Sequence, residues 1–155
     1  MVFCNLMHAY NATLVDAVNA EKVVTAGKDR NVKIISSNGQ SLMNLVLQNE
    51  VKSIDHSNRF IAIGDSVGVI KLHDVNKYTS VLTIKGHSGV IGIQVLEMWD
   101  VIVAVFEDGN CRVYNQQGVE KDRLNSGSPI ASVGWLENGF VTGHKNGNIK
   151  LWTYS

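Results

Sequence analysis

The chain has 155 residues, 45% of them hydrophobic, with 14 basic and 14 acidic side chains, one proline and fourteen glycines. Zero formal net charge leaves no electrostatic footprint for nucleic acid or an anionic membrane surface, and no apolar run approaches the roughly eighteen residues of a membrane span. Two distant cysteines, Cys4 and Cys111, do not make a disulfide scaffold, and residues 1–10 lack the basic start and long apolar stretch of a secretion signal, so a cytoplasmic or nuclear, non-secreted protein is expected.

In chain order, residues 2–6 read as a first, outer strand, after which Val15 and Val18 open an apolar stretch that leads through a turn at Asp29-Arg30 to Ile35. The same succession then returns. Val51 and Ile54 precede a turn at Val67-Gly68 and His73; Val90 and Ile93 precede Asp108-Gly109 and Tyr114; Ile130 and Val133 precede Asn146-Gly147 and Trp152. Ile35, His73, Tyr114 and Trp152 thus share one position, 38, 41 and 38 residues apart. A period near forty points to stacked or radial repeats rather than one irregular core. The copies run about 1–38, 39–77, 78–117 and 118–155. An Asp-Gly or Asn-Gly step between apolar alternations is a strong hairpin signal, with positive φ expected at both central residues. Arg30 stands where the first copy lacks the glycine, so its turn is expected to be strained or rebuilt.

These phrases resemble the Trp-Asp (WD) repeat of β-propellers, in which each repeat is one four-stranded blade bracketed by a Gly-His and a Trp-Asp pair. Gly86-His87 is the intact Gly-His; the other copies carry Ala12, Gln48 and Gly127 at the histidine position, and no copy ends in Trp-Asp. The resemblance covers the whole chain and implies an all-β fold, a β-propeller of four four-stranded blades. The family's Gly-His histidine, turn Asp and strand Trp form a buried structural hydrogen-bond network. Carried over by position, His87 and Asp108 keep part of it, Tyr114 stands in for Trp in the third copy, and Trp152 keeps it in the fourth. The strand phase implies that residues 2–6 complete the last blade, as family propellers do to avoid a free edge. Four blades are few for a ring. Closure is therefore expected through strand exchange in a homodimer forming an eight-bladed ring, through a partner chain, or by the chain on itself.

Catalytic chemistry finds no foothold. His8, His56, His73, His87 and His144 lack the spacing of a metal site, and His56 and His73 are expected as satisfied structural histidines. Asp55 and His56, neighbours on a strand, are expected to point to opposite faces. There is no Gly-rich phosphate loop and no nucleophile motif; glycines 64, 68, 109, 143 and 147 fall at strand-to-strand turns. No enzyme activity, cofactor or metal is expected, and Asn11-Ala12-Thr13 is a glycosylation sequon without a secretory route. Trp135 belongs on the core side by alternation. Trp99, in the hairpin at residues 97–100, is either an interface anchor or a ring tucked against the next blade. If the resemblance holds, Lys28, Ser66, Glu107 and Lys145 line one rim, and their differing charge suits one asymmetric protein partner. The expected function is a non-catalytic protein–protein interaction scaffold. The alternative is a structural subunit whose open blade edge completes a larger propeller or multiprotein assembly. An RNA-binding propeller is disfavoured by charge and by the scarcity of loop aromatics.

Overall fold

A computed structural model describes residues 12–154. Among the described residues, fifteen strands follow one another with a single 3-10 turn at Glu97–Trp99. The first sheet holds β1 (Ala12–Asn19), β2 (Lys22–Gly27), β3 (Asn31–Ser36) and β4 (Ser41–Val46); the second holds β5 (Val51–His56), β6 (Phe60–Asp65), β7 (Val69–Asp74) and β8 (Ser80–Lys85). The third holds β9 (Val90–Leu96), β10 (Val101–Phe106), β11 (Asn110–Asn115) and β12 (Glu120–Asn125), and the fourth β13 (Ile130–Leu136), β14 (Gly139–His144) and β15 (Ile149–Thr153). Each sheet is an antiparallel meander in chain order, and the first strands β1, β5, β9 and β13 touch one another in succession. The sheets are therefore blades set side by side around an axis that the first strands line.

Why the second strands are so apolar follows from this arrangement. A strand with a blade against each face cannot alternate between core and water, and β6 and β10, reading FIAIGD and VIVAVF, are buried at nearly every position. Three apolar cores lie in the gaps between blades. One holds Val24, Val32, Ile34, Ile61 and Ile63 between blades 1 and 2; the next holds Phe60, Leu72, Ile102 and Phe106 between blades 2 and 3. The last holds Val103, Val105, Cys111 and Phe140, with Trp135 and Trp152 against them, between blades 3 and 4. Burial of such area at about 25 cal/mol per Å² is the main drive for stacking.

The second-to-third strand hairpins differ from the two-residue turns expected. Gly68, Gly109 and Gly147 have φ of 97°, 97° and 88°, whereas Val67, Asp108 and Asn146 keep negative φ. Each glycine N–H donates to the carbonyl three residues back, at Asp65, Phe106 and His144. This is a four-residue turn closed by a left-handed residue, the three-residue loop of hairpins rather than the mirror-image pair. Arg30 takes that left-handed position in blade 1, with φ 65° and its N–H on Gly27 O at 3.2 Å. A side chain is tolerable there only where space allows. At Gly109 a Cβ would come within 2.5 Å of Ser128 O, whereas at Gly147 nothing lies within 4 Å.

Blade 4 has three strands among the described residues, where four were expected; residues 2–6, assigned to the fourth, lie outside them. The described part of blade 4 packs on blade 3 and does not pack substantially on blade 1, so the ring is open there.

Candidate partner-binding rim and interblade contacts

Strand alternation sends the second-to-third strand turns to one end of the molecule. Lys28, Ser66, Glu107 and Lys145 are each the first central residue of such a turn, and all but the half-buried Ser66 are exposed. Ser66, Glu107 and Lys145 donate backbone N–H groups to Glu50, Gly89 and Pro129, at 2.9, 2.9 and 3.0 Å, in the connections that enter each blade. Asp65, 6% exposed, reinforces this in blade 2: its carboxylate accepts from Val67 N, Val69 N and Asn49 Nδ2. The rim is thus held by main-chain bonds, while the side chains stay free to meet a ligand.

Trp99 sits at the opposite end, in the first-to-second strand hairpin of blade 3. It is half exposed beside the bare Met98, yet its ring stands edge-on to Tyr154 at 5.3 Å and 75°. Both readings of Trp99 therefore hold in part, but it cannot serve the same end as Lys28 and its counterparts.

The inner strands carry a repeated polar stitch. Asp16, Asp55, Gln94 and Gly134 pair with Val24, Ala62, Val103 and Val141, which makes them equivalent positions. Asp16 Oδ2 meets His56 Nδ1 of blade 2 at 2.5 Å; Asp55 Oδ2 accepts Val95 N–H of blade 3 at 2.6 Å; Gln94 Oε1 accepts Tyr154 O–H of blade 4 at 2.7 Å. Each reaches forward to the next blade, and Gly134 has nothing to reach with. Burial, helped by the Asp16 charge and only partly offset by the Val95 and His56 N–H bonds that favour the carboxylate, holds the Asp55 carboxyl above its ordinary value. Burial and the charges of Asp55 and Cys111 push Tyr154 up to about 12. The strand argument separating Asp55 from His56 misses their place at the narrow inner edge, where Asp16, Asp55 and His56 bring one ligand atom each within 4.8 Å. A divalent cation would find two oxygens and a nitrogen there, but existing hydrogen bonds already use these atoms as struts between blades.

A polar network of the expected kind occurs, in another place. Trp152 Nε1–H donates to Thr142 Oγ1 at 2.9 Å, Thr142 Oγ1 lies 2.9 Å from His144 Nε2, and His144 Nδ1 lies 2.9 Å from Ser128 Oγ. His144 Nδ1 also lies 3.2 Å from the Ser128 carbonyl oxygen, which can only accept, so the His144 proton sits on Nδ1 and Nε2 accepts from the Thr142 hydroxyl. Of the four expected residues only Trp152 takes part. His87 and Asp108 are exposed, Asp108 Oδ1 accepting from Asn110 N–H at 3.0 Å, and Tyr114 is buried in the apolar core of blades 2 and 3. The physical reason lies in β10: Ala104 and Phe106 occupy the positions of Thr142 and His144, and the Phe106 ring fills the space beneath Gly86. A signal for the true set was present, since Thr142 and His144, two apart on one strand, share a face. His73 also departs from expectation. It is buried with Nε2 lacking a partner, held below the ordinary imidazole value by burial and then by the charge of Lys71.

A cleft of about 520 Å³ opens between the outer strands of blade 3 and β15, lined by Val103, Val113, Leu124, Leu151, Trp152 and Tyr154 among others.

Solved structures share this arrangement. The computationally designed Ika4 protein superposes with a TM-score of 0.84 at 19% identity, over 96% of this chain and 94% of that one. The designed Ika8 protein gives 0.81 at 19% identity over 95% of this chain and 47% of that one, and the WD40 β-propeller domain of Doa1 gives 0.82 at 21% over 96% and 53%. The fold is a β-propeller. The chain spans nearly all of Ika4 and about half of the other two chains. The sequence matches no family model and no curated protein.

Proposed function

We propose that the chain is a non-catalytic protein-interaction scaffold of the WD-repeat type, which docks a protein partner on the rim carrying Lys28, Ser66, Glu107 and Lys145. The observation that carries this reading is the backbone anchoring of Ser66, Glu107 and Lys145 to the loops entering each blade. Turns held in this way offer side chains at set positions, so a partner binds with little loop ordering to offset. Two lysines, a serine and a glutamate suit a partner surface of mixed charge. Solved WD40 propellers of the same fold support the reading at the level of architecture.

The test is quantitative affinity capture by wild type and by the charge-reversed Glu107→Lys/Lys145→Glu pair, with Val81→Glu on the outer edge of blade 2 as control. Partners lost by the rim pair and retained by the control are expected. Identical partner sets from all three chains reject the rim. A second reading, in which the open end of the blade row is a working surface, is favoured by the exposure of Ile149 and Leu151 on blade 4.

A further inference from the structure

The register of the blades says what that open face is built for. Val103, Val105, Cys111 and Val113 of blade 3 face blade 4, and strand pairing makes Val141, Gly143, Ile149 and Leu151 their counterparts one blade on. Cys111 is 2% exposed and its equivalent Ile149 77%; Val113 is half-buried and its equivalent Leu151 is 65% exposed. Blade 4 therefore presents the face that in blade 3 receives a following blade. At the other end of the row, Val23 and Ile35 are paired on β2 and β3 and by alternation point away from the core shared with blade 2. Ile35 is the counterpart of Trp152, which is the residue blade 4 sets against Val103 and Val113. The two open faces are the two halves of one junction type.

We propose that a second copy of this chain covers them: blade 4 of each copy stacks on blade 1 of the other, giving an eight-bladed ring with two identical junctions. Deepening the open-end reading, this assembly leaves the rim reading untouched. The occupant is chosen by geometry. All four blades superpose on 53% of the WD40 β-propeller chain of Doa1, so the row supplies about half of such a propeller, and head-to-tail contacts related by a two-fold axis close it. Self-closure would need blade 4 to swing onto blade 1 of its own chain and so distort the three existing cores, whose packing tolerates little change. The new junction has an apolar centre, Ile149 and Leu151 against Val23 and Ile35, with Thr25 and Lys33 beside it on the same face of blade 1, and Gly134 supplies no polar stitch.

The full chain should elute with a light-scattering mass of twice 17.0 kDa. Ile149→Lys/Leu151→Glu should halve that mass with an unchanged far-ultraviolet spectrum, whereas Val81→Glu stays dimeric. Cysteine trapping gives an independent readout in a Cys4→Ser background. A mixture of Leu151→Cys and Ile35→Cys chains should yield a disulfide-linked dimer on non-reducing gels, and Leu151→Cys alone should not. A wild-type mass of one chain, a dimer indifferent to the double substitution, or crosslinking of Leu151→Cys to itself each overturns the proposal. None of these outcomes bears on partner loss by the Glu107/Lys145 pair.

Discussion

Blades 3 and 4 share a register, a turn type and an apolar first gap, and they differ in how each treats the polar atoms inside it. Blade 3 sits between two neighbours and uses Ala104 and Phe106 where blade 4 has Thr142 and His144. With apolar walls on both faces, hydrophobic area is its main support, at about 25 cal/mol per Å², beside the inner-edge bonds of Val95 and Gln94. Blade 4 has a neighbour on one face, and there it adds the chain Trp152–Thr142–His144–Ser128. The polar lock thus sits in the blade whose far side is exposed within one chain, and its directional bonds tie β14 and β15 to the connection that enters blade 4.

The largest effect that could break this comparison lies in a matched pair of leucines. Leu72 in blade 2 and Leu151 in blade 4 are equivalent by register, yet Leu72 is fully buried. Leu72→Ala should cost about 2–5 kcal/mol of unfolding free energy, the range for a core leucine, at any protein concentration. Leu151→Ala should cost less than about 0.5 kcal/mol in dilute solution, and more as concentration rises, because a covering second copy adds stability by mass action. Denaturant melts at two concentrations decide it. A large, concentration-independent loss at Leu151 would mean that the chain covers its own open face.

A smaller effect tests the lock. Thr142→Val keeps the shape and removes the hydroxyl that joins the half-buried Trp152 Nε1 to the buried His144 Nε2, taking that partner from both nitrogens. The expected loss is about 1–3 kcal/mol. Ala104→Thr in blade 3 should give no compensating gain, since Phe106 offers its hydroxyl no acceptor. Should Thr142→Val melt like wild type, the network would be a consequence of blade 4 packing and not a support for it.

How far the sequence disclosed this depends on which physics each residue obeys. The recurrence of Ile35, His73, Tyr114 and Trp152 revealed the blades because alternation and turn chemistry are local. Arg30 was legible for the same reason: a missing glycine in a turn that needs left-handed backbone announces itself. The network was not legible, because a Gly-His pair at Gly86-His87 only marks a position. Whether its imidazole turns inward depends on the Phe106 ring already filling that space, a contact across 20 residues of chain. The Asp16, Asp55 and His56 grouping was hidden similarly. Strand alternation separates neighbours on one sheet, but the inner edges of adjacent blades converge, and that convergence is a property of two sheets together.

His73 supplies the subtlest contrast with blade 4, since it is a buried histidine without the partners that His144 has. Its folded-state pKa lies below the ordinary 6.5 because burial, and secondarily Lys71, disfavour the charged ring. The sign follows from linkage. Above pH 6.5 the ring is neutral in folded and unfolded chains and titration adds nothing. As pH falls below 6.5 the unfolded chain takes up a proton that the folded chain resists, so stability declines until the pH passes the folded value. His144, by contrast, engages both ring nitrogens, with Thr142 and Ser128. The Tm of wild type should therefore drop between pH 7 and pH 5 by more than that of His73→Phe, which also removes the unpartnered Nε2 and fills the site with apolar volume. Parallel Tm curves for the two proteins over that interval would mean that water or a neighbour satisfies His73 in solution, and that blade 2, like blade 4, keeps a polar lock.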